Sequence, residues 1–108
     1  MFYNVNNEIV IGDFEMQLVD EILTKLETAD NMTKNKLENI LVDQGKAVVP
    51  DLVSRLQNVK GTKRGVVAMS LIRIGEASIE YLKNAATSNK DFEWVANYLI
   101  SEIQGIAA

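Results

Sequence analysis

The sequence contains no cysteine and no histidine, a single proline, and only 6% aromatic residues. Without cysteine there is neither a disulfide framework nor a thiol nucleophile. Without histidine the commonest metal ligand and the usual neutral-pH acid/base are missing. Ser-His-Asp, Cys-His and the usual zinc arrangements are therefore excluded. No apolar run approaches the roughly 18–20 residues of a membrane span. The N-terminal stretch from Met1 to Glu8 has neither the basic region nor the small-residue cleavage site of a signal peptide. The expectation is a cytoplasmic chain with no cofactor, no metal and no membrane segment.

What is present is ordinary in amount. The 108 residues are 47% apolar and 24% charged, which fits one globular domain and excludes disorder, collagen and low-complexity classes. Charge is uneven along the chain, although the net value is −4. Residues 1–45 hold nine acids against Lys25, Lys34 and Lys36, a balance of −6. Residues 46–90 hold eight bases against Asp51, Glu76 and Glu80, a balance of +5, and residues 91–108 return to −3. A basic middle attracts an anionic partner, or its charges simply solvate outer helix faces.

Internal similarity organises the chain. Leu41, Gly45, Ala47 and Leu52 coincide with Leu71, Gly75, Ala77 and Leu82 at a shift of 30. A diverged third copy aligns best at a shift of 29, with Val95, Ala96, Ile100 and Ile103 on Val66, Val67, Leu71 and Ile74. Each unit reads as two helices around a glycine. Leu37, Ile40, Leu41 and Gln44 precede Gly45; Val49, Leu52, Val53 and Leu56 follow it at helical spacing. Pro50 falls in the first turn of that second helix, where its missing N–H costs nothing. Gly45 and Gly75 are expected at left-handed C-terminal positions. Thr62 is a candidate cap for the helix after it, and Ser88 or Asn89 for the last helix.

The N-terminal third reads as a partial unit. Phe14, Leu18, Val19, Ile22, Leu23 and Leu26 make an apolar stripe, with Asp13 as its N-cap. Residues 1–11 form either a small hairpin around Asn6 and Asn7 or an irregular lead-in. The divisions are a lead-in (1–12), a partial repeat (13–32), two repeats (33–60 and 61–89) and a terminal half-repeat (90–108).

The segment carrying Arg64, Val67, Leu71, Ile74-Gly75, Ala77 and Leu82 resembles the bacterial HEAT-like repeat, including the type found in phycobilisome lyases. Ala47 to Leu56, with Pro50, is similar to the second helix of that family. The likeness is good over residues 33–87 and loose over 13–32 and 90–105. Two positions depart from it: Gly61 stands where the family carries Asp, and Lys34 stands where the first unit would carry Arg. The resemblance implies an all-α fold, a short right-handed α-solenoid of about five or six helices. It also implies an armadillo-like scaffold that holds another protein on its second helices, where Arg55, Tyr81 and Lys83 are the candidate contacts beside Asp51 and Glu80.

Catalytic constellations are hard to assemble from what remains. Glu76 and Glu80 are four residues apart on a polar helix face and read as a solvated pair rather than an acid/base pair. Lys60, Lys63 and Arg64 cluster at an expected helix N-terminus, the best candidate for anion binding. Three bases give only a weak salt-dependent contact, so nucleic acid is not favoured. In the last helix Phe92, Val95, Ala96, Leu99 and Ile103 form the inward stripe, which leaves Trp94 and Tyr98 together on the opposite face. Exposed aromatics are enriched at interface hot spots. The expected function is a non-enzymatic protein-interaction module, with Trp94 and Tyr98 meeting a protein partner or a second copy of the chain. The alternatives are an accessory subunit of a lyase-type chromophore-attachment system, which the resemblance implies, and an anion binder through Lys60, Lys63 and Arg64.

Overall fold

The computed structural model describes residues 11–107, all of them helix or short connection, with no strand among them. Six α-helices follow one another: α1 (Ile11–Leu26), α2 (Asn31–Gln44), α3 (Val49–Leu56), α4 (Gly61–Ile74), α5 (Ile79–Ser88) and α6 (Glu93–Ala107). Tight 3₁₀ turns occupy Gly45–Val48, Gly75–Ser78 and Lys90–Phe92. The first two join their flanking helices without a break, so the described chain forms four uninterrupted helical stretches. The elements themselves recur at a spacing of 30: Asn31–Gln44 and Gly61–Ile74, then Gly45–Val48 and Gly75–Ser78. The alternative hairpin of residues 1–11 lies outside the described residues except for Ile11, which opens α1.

Local chemistry sets the starts of these helices. Asp30 is extended (φ −78°, ψ 177°), and its carboxylate accepts the Thr33 N–H at 2.8 Å to cap α2. Asn89 accepts the Asp91 N–H at 3.1 Å and opens the turn into α6, so of the two proposed caps there Asn89 is used, while Ser88 ends α5. Two expected caps are corrected. Thr62 caps nothing, because α4 already begins at Gly61 after an extended Lys60. Asp13 lies inside the first turn of α1, which starts two residues earlier at Ile11.

Gly45 (φ 61°, ψ −139°) and Gly75 (φ 88°, ψ −138°) have the expected positive φ. Their ψ differs from the left-handed helical value. Both sit in the mirror image of the extended region, which is almost exclusive to glycine. One such residue redirects the chain, and the next resumes helical dihedrals. At the second corner the Leu71 carbonyl accepts both the Gly75 N–H and, at 2.9 Å, the Ser78 hydroxyl. Ser78 is fully buried there, so its polar group enters the core already satisfied.

Packing runs along two rows. α2, α4 and α6 lie side by side, as do α1, α3 and α5, and α1–α2, α3–α4 and α5–α6 pack across between the rows. One continuous core threads them, from Val19 and Leu41 through Leu52, Leu71 and Leu82 to Ala96 and Ile103. Two residues of the expected stripes are outside it. Phe14 is 57% exposed, one turn before the first fully buried residue of α1, Val19. Ile40 is 40% exposed, whereas its counterparts Ser70 in α4 and Leu99 in α6 are buried. α2 is the first of its row among the described residues, whereas α4 packs against α2 and α6 against α4.

A Cβ added at Gly45 or Gly75 meets nothing within 4 Å. Gly→Ala at either corner therefore costs backbone strain alone, about 1–3 kcal/mol. Thermal unfolding followed at 222 nm checks this: an unchanged or raised midpoint would contradict the corner geometry.

Candidate interaction surface

α6 presents its aromatic pair because of what its other face must bury. Phe92, Ala96, Leu99, Ile100 and Ile103 enter the core, and Val95 is half-buried. Helical geometry then drives positions 94 and 98 outward, one turn apart. Trp94 is 76% exposed and Tyr98 55%. Their rings lie nearly parallel, 13° between planes with centroids 6.4 Å apart, a stacked arrangement favoured by the ring quadrupoles.

Beside them an apolar groove of about 450 Å³ runs between α4 and α6. Leu56, Gly61, Arg64, Gly65 and Ala68 line one side, and Trp94, Val95, Tyr98 and Leu99 the other. Gly61 and Gly65 are one turn apart and carry no side chain over the floor. Sequence reading placed the aromatic pair correctly but missed this groove. The available signal was Gly65, a glycine inside an otherwise continuous helical stripe.

The other candidates are dispersed. Arg55 is clamped between Asp20, on α1, and Asp51, whose Oδ1 lies 3.4 Å from its Nε. Lys63 Nζ meets Glu27 at 2.6 Å. Arg64 Nη1 donates to the Leu56 carbonyl at 3.2 Å, at the end of α3. Lys60 is exposed and shares a shallow depression with Lys63 and Glu27, while Arg64 lines the groove that Trp94 also lines. The three bases of the expected anion cluster thus face two different surfaces, one of them already holding a carboxylate. Tyr81 is half-buried against the core, and Lys83 is exposed at an open edge formed with Glu76, Ile79 and Gln104.

A third cross-helix pair, Arg73 with Glu38 at 2.8 Å, ties α4 to α2. In each of the three long-range pairs the cation lies 35 or 36 positions after its acid. Three of the eight bases in the basic middle, Arg55, Lys63 and Arg73, are therefore answered by acids of residues 1–45. Each such exposed pair contributes about 0–1 kcal/mol. Their regularity matters more than their strength.

Among the described residues no group of three metal-ligating side chains comes together, and no helix is long and apolar enough to cross a membrane. Comparison of the chain with protein-family models, curated proteins and solved structures returns no match.

Asp51 is the one buried carboxylate with an unpartnered oxygen, Oδ2, among the described residues. Burial pushes its carboxyl above the usual range, against the opposing pull of Arg55. The folded protein then binds that proton more tightly than the unfolded chain, so stability is lost as the pH rises through the Asp51 titration. Glu27, held down by the Lys63 ammonium, and Asp30, held down by the Thr33 N–H, act in the opposite sense and lose stability as the pH falls. Asp51→Asn is expected to raise the melting temperature at pH 7, with the gain vanishing once the wild-type carboxyl is protonated. A variant less stable at pH 7 than in acid, relative to wild type, would mean that Arg55 outweighs burial.

Proposed function

We propose that the chain is a non-enzymatic protein-binding module, built as a short α-solenoid of HEAT-like helix pairs, whose contact surface is the outer face of α6. The single observation that carries this reading is the stacked, exposed Trp94–Tyr98 pair. A helix face left to water alone is ordinarily polar, whereas this one carries two large aromatic side chains. Trp and Tyr supply large contact area at low conformational-entropy cost, which is why such residues dominate interface energetics. The solenoid part of the proposal is supported by the 30-residue recurrence of elements and by packing of like helices along two rows. The partner is another polypeptide. A second copy of this chain is the special case that sedimentation tests directly.

Trp94→Ala/Tyr98→Ala removes no buried contact of the core, so the double variant is expected to fold with a near-wild-type midpoint. It should weaken partner binding by about tenfold or more. Affinity capture on wild-type and variant protein, read by mass spectrometry, is the measurement. A dominant species held by wild type and lost on the variant supports the reading; the same species held equally by both overturns it. Sedimentation of the two proteins assigns the partner: a wild-type dimer that the variant abolishes makes it a second copy.

A further inference from the structure

The 30-residue register extends to α1: Val19, Ile22, Leu23 and Leu26 coincide with Val49, Leu52, Val53 and Leu56, and all eight are buried. In that register the two ends of the stack expose positions that interior units cover. On the α1–α2 end, Leu18 is half-buried and Ile40 is 40% exposed, while Val48, Ser70, Ser78 and Leu99 are buried. On the α5–α6 end, Glu93, Asn97 and Ser101 are exposed, while Arg64, Ala68 and Ile72, 29 residues earlier, are half-buried. The charges of the two ends are in register as well. Asp20 holds Arg55, which Asp51 also meets. Glu80 occupies the position of Asp20, and Lys25 and Glu21 occupy those of Arg55 and Asp51. Between α4 and α6, Arg64 and Gly65 line one groove with Val95 and Leu99. The equivalent positions are Glu93 and Trp94 at the end of the row, and Lys36 and Ile40 at its start. Among the described residues Lys25, Lys36, Glu80 and Glu93 have no ion-pair partner.

We infer that copies of this chain stack head to tail, the α5–α6 end of one on the α1–α2 end of the next, so that both rows continue across the junction. The inference rests on the protein-binding reading above and names the partner of the Trp94 surface. Continuing the register sets Lys25 of one copy between its own Glu21 and Glu80 of its neighbour, as Arg55 lies between Asp51 and Asp20. It sets Glu93 against Lys36 and lays Trp94 over Ile40, an exposed apolar residue of the opposite end. A second copy is the occupant because both halves of every match lie on this one chain, at its two ends. The two faces differ, so the contact is heterologous and extends beyond two copies instead of closing as a two-fold dimer. It is more polar than the internal contacts: Lys36 stands in the register of buried Val66, and Lys83 in that of buried Val53. Association is therefore weaker than the packing within one chain, and it rises with concentration.

Sedimentation velocity of the full chain, taken up to about 1 mM, tests this. The average mass of wild type is expected to rise with concentration past that of a dimer. Lys25→Glu and Glu80→Lys change exposed side chains. Each should melt close to wild type and associate at least about tenfold more weakly, because like charges then face each other. An equimolar mixture of the two variants sets opposite charges at every mixed junction and should associate again, as should the double variant Lys25→Glu/Glu80→Lys. Trp94→Ala should weaken association as well. A wild type that stays monomeric, a plateau at the dimer, a single charge variant that associates like wild type, or a mixture that stays apart overturns the inference. If the stacks are absent while Trp94→Ala/Tyr98→Ala still loses a different captured protein, only the choice of partner falls. If that protein is also retained, the interaction surface falls with it.

Discussion

Each helix pair in this chain has more apolar surface than it can cover alone, and the fold follows from that shortfall. Leu41, Leu52, Leu71 and Leu82 are fully buried, one on each of four successive helices from α2 to α5. None of them is buried by its own helix. Burying a leucine is worth about 1.5–3 kcal/mol, and that gain is realised only when neighbouring helices supply the other walls. The corners fall to glycine because the redirection of the chain there needs positive φ, which glycine adopts without a Cβ penalty.

The same register organises the charges. Asp20, Glu27 and Glu38 lie in the acidic third, and Arg55, Lys63 and Arg73 in the basic middle. A constant offset between acid and base means that one stacking geometry satisfies all three pairs at once. A slip of one unit would separate all three pairs. At about 0–1 kcal/mol each, the pairs do not hold the fold together, but a wrong register would forfeit all of them. Part of the compositional asymmetry, which first suggested an external anion, is thus a record of internal stacking.

How much of this was legible in the sequence depends on whether the cause was local. Apolar stripes at helical spacing, the glycine corners and the outward pair Trp94–Tyr98 are set by spacing within one element, and they are where the spacing puts them. Features that depend on the relation between elements were hidden. Ile40 has the same local pattern as Leu41, yet it is exposed on α2, the first helix of its row among the described residues. Phe14 continues the stripe of Val19 but lies beyond the helices that cover it. The ion pairs join positions 35 or 36 residues apart, a separation that means nothing until the rows are stacked. The caps divide the same way, since Asp30 sits beside the N–H it accepts while Thr62 was displaced when α4 began a residue early.

Glycine shows where stability and function part. At Gly45 and Gly75 the backbone conformation itself excludes other residues, so the fold explains them completely. At Gly65 the backbone is ordinary and the space above it is empty. An alanine there would improve the helix by about 0.5–1 kcal/mol. The fold therefore does not explain Gly65; what the glycine does is leave open the groove that Arg64, Trp94 and Tyr98 line.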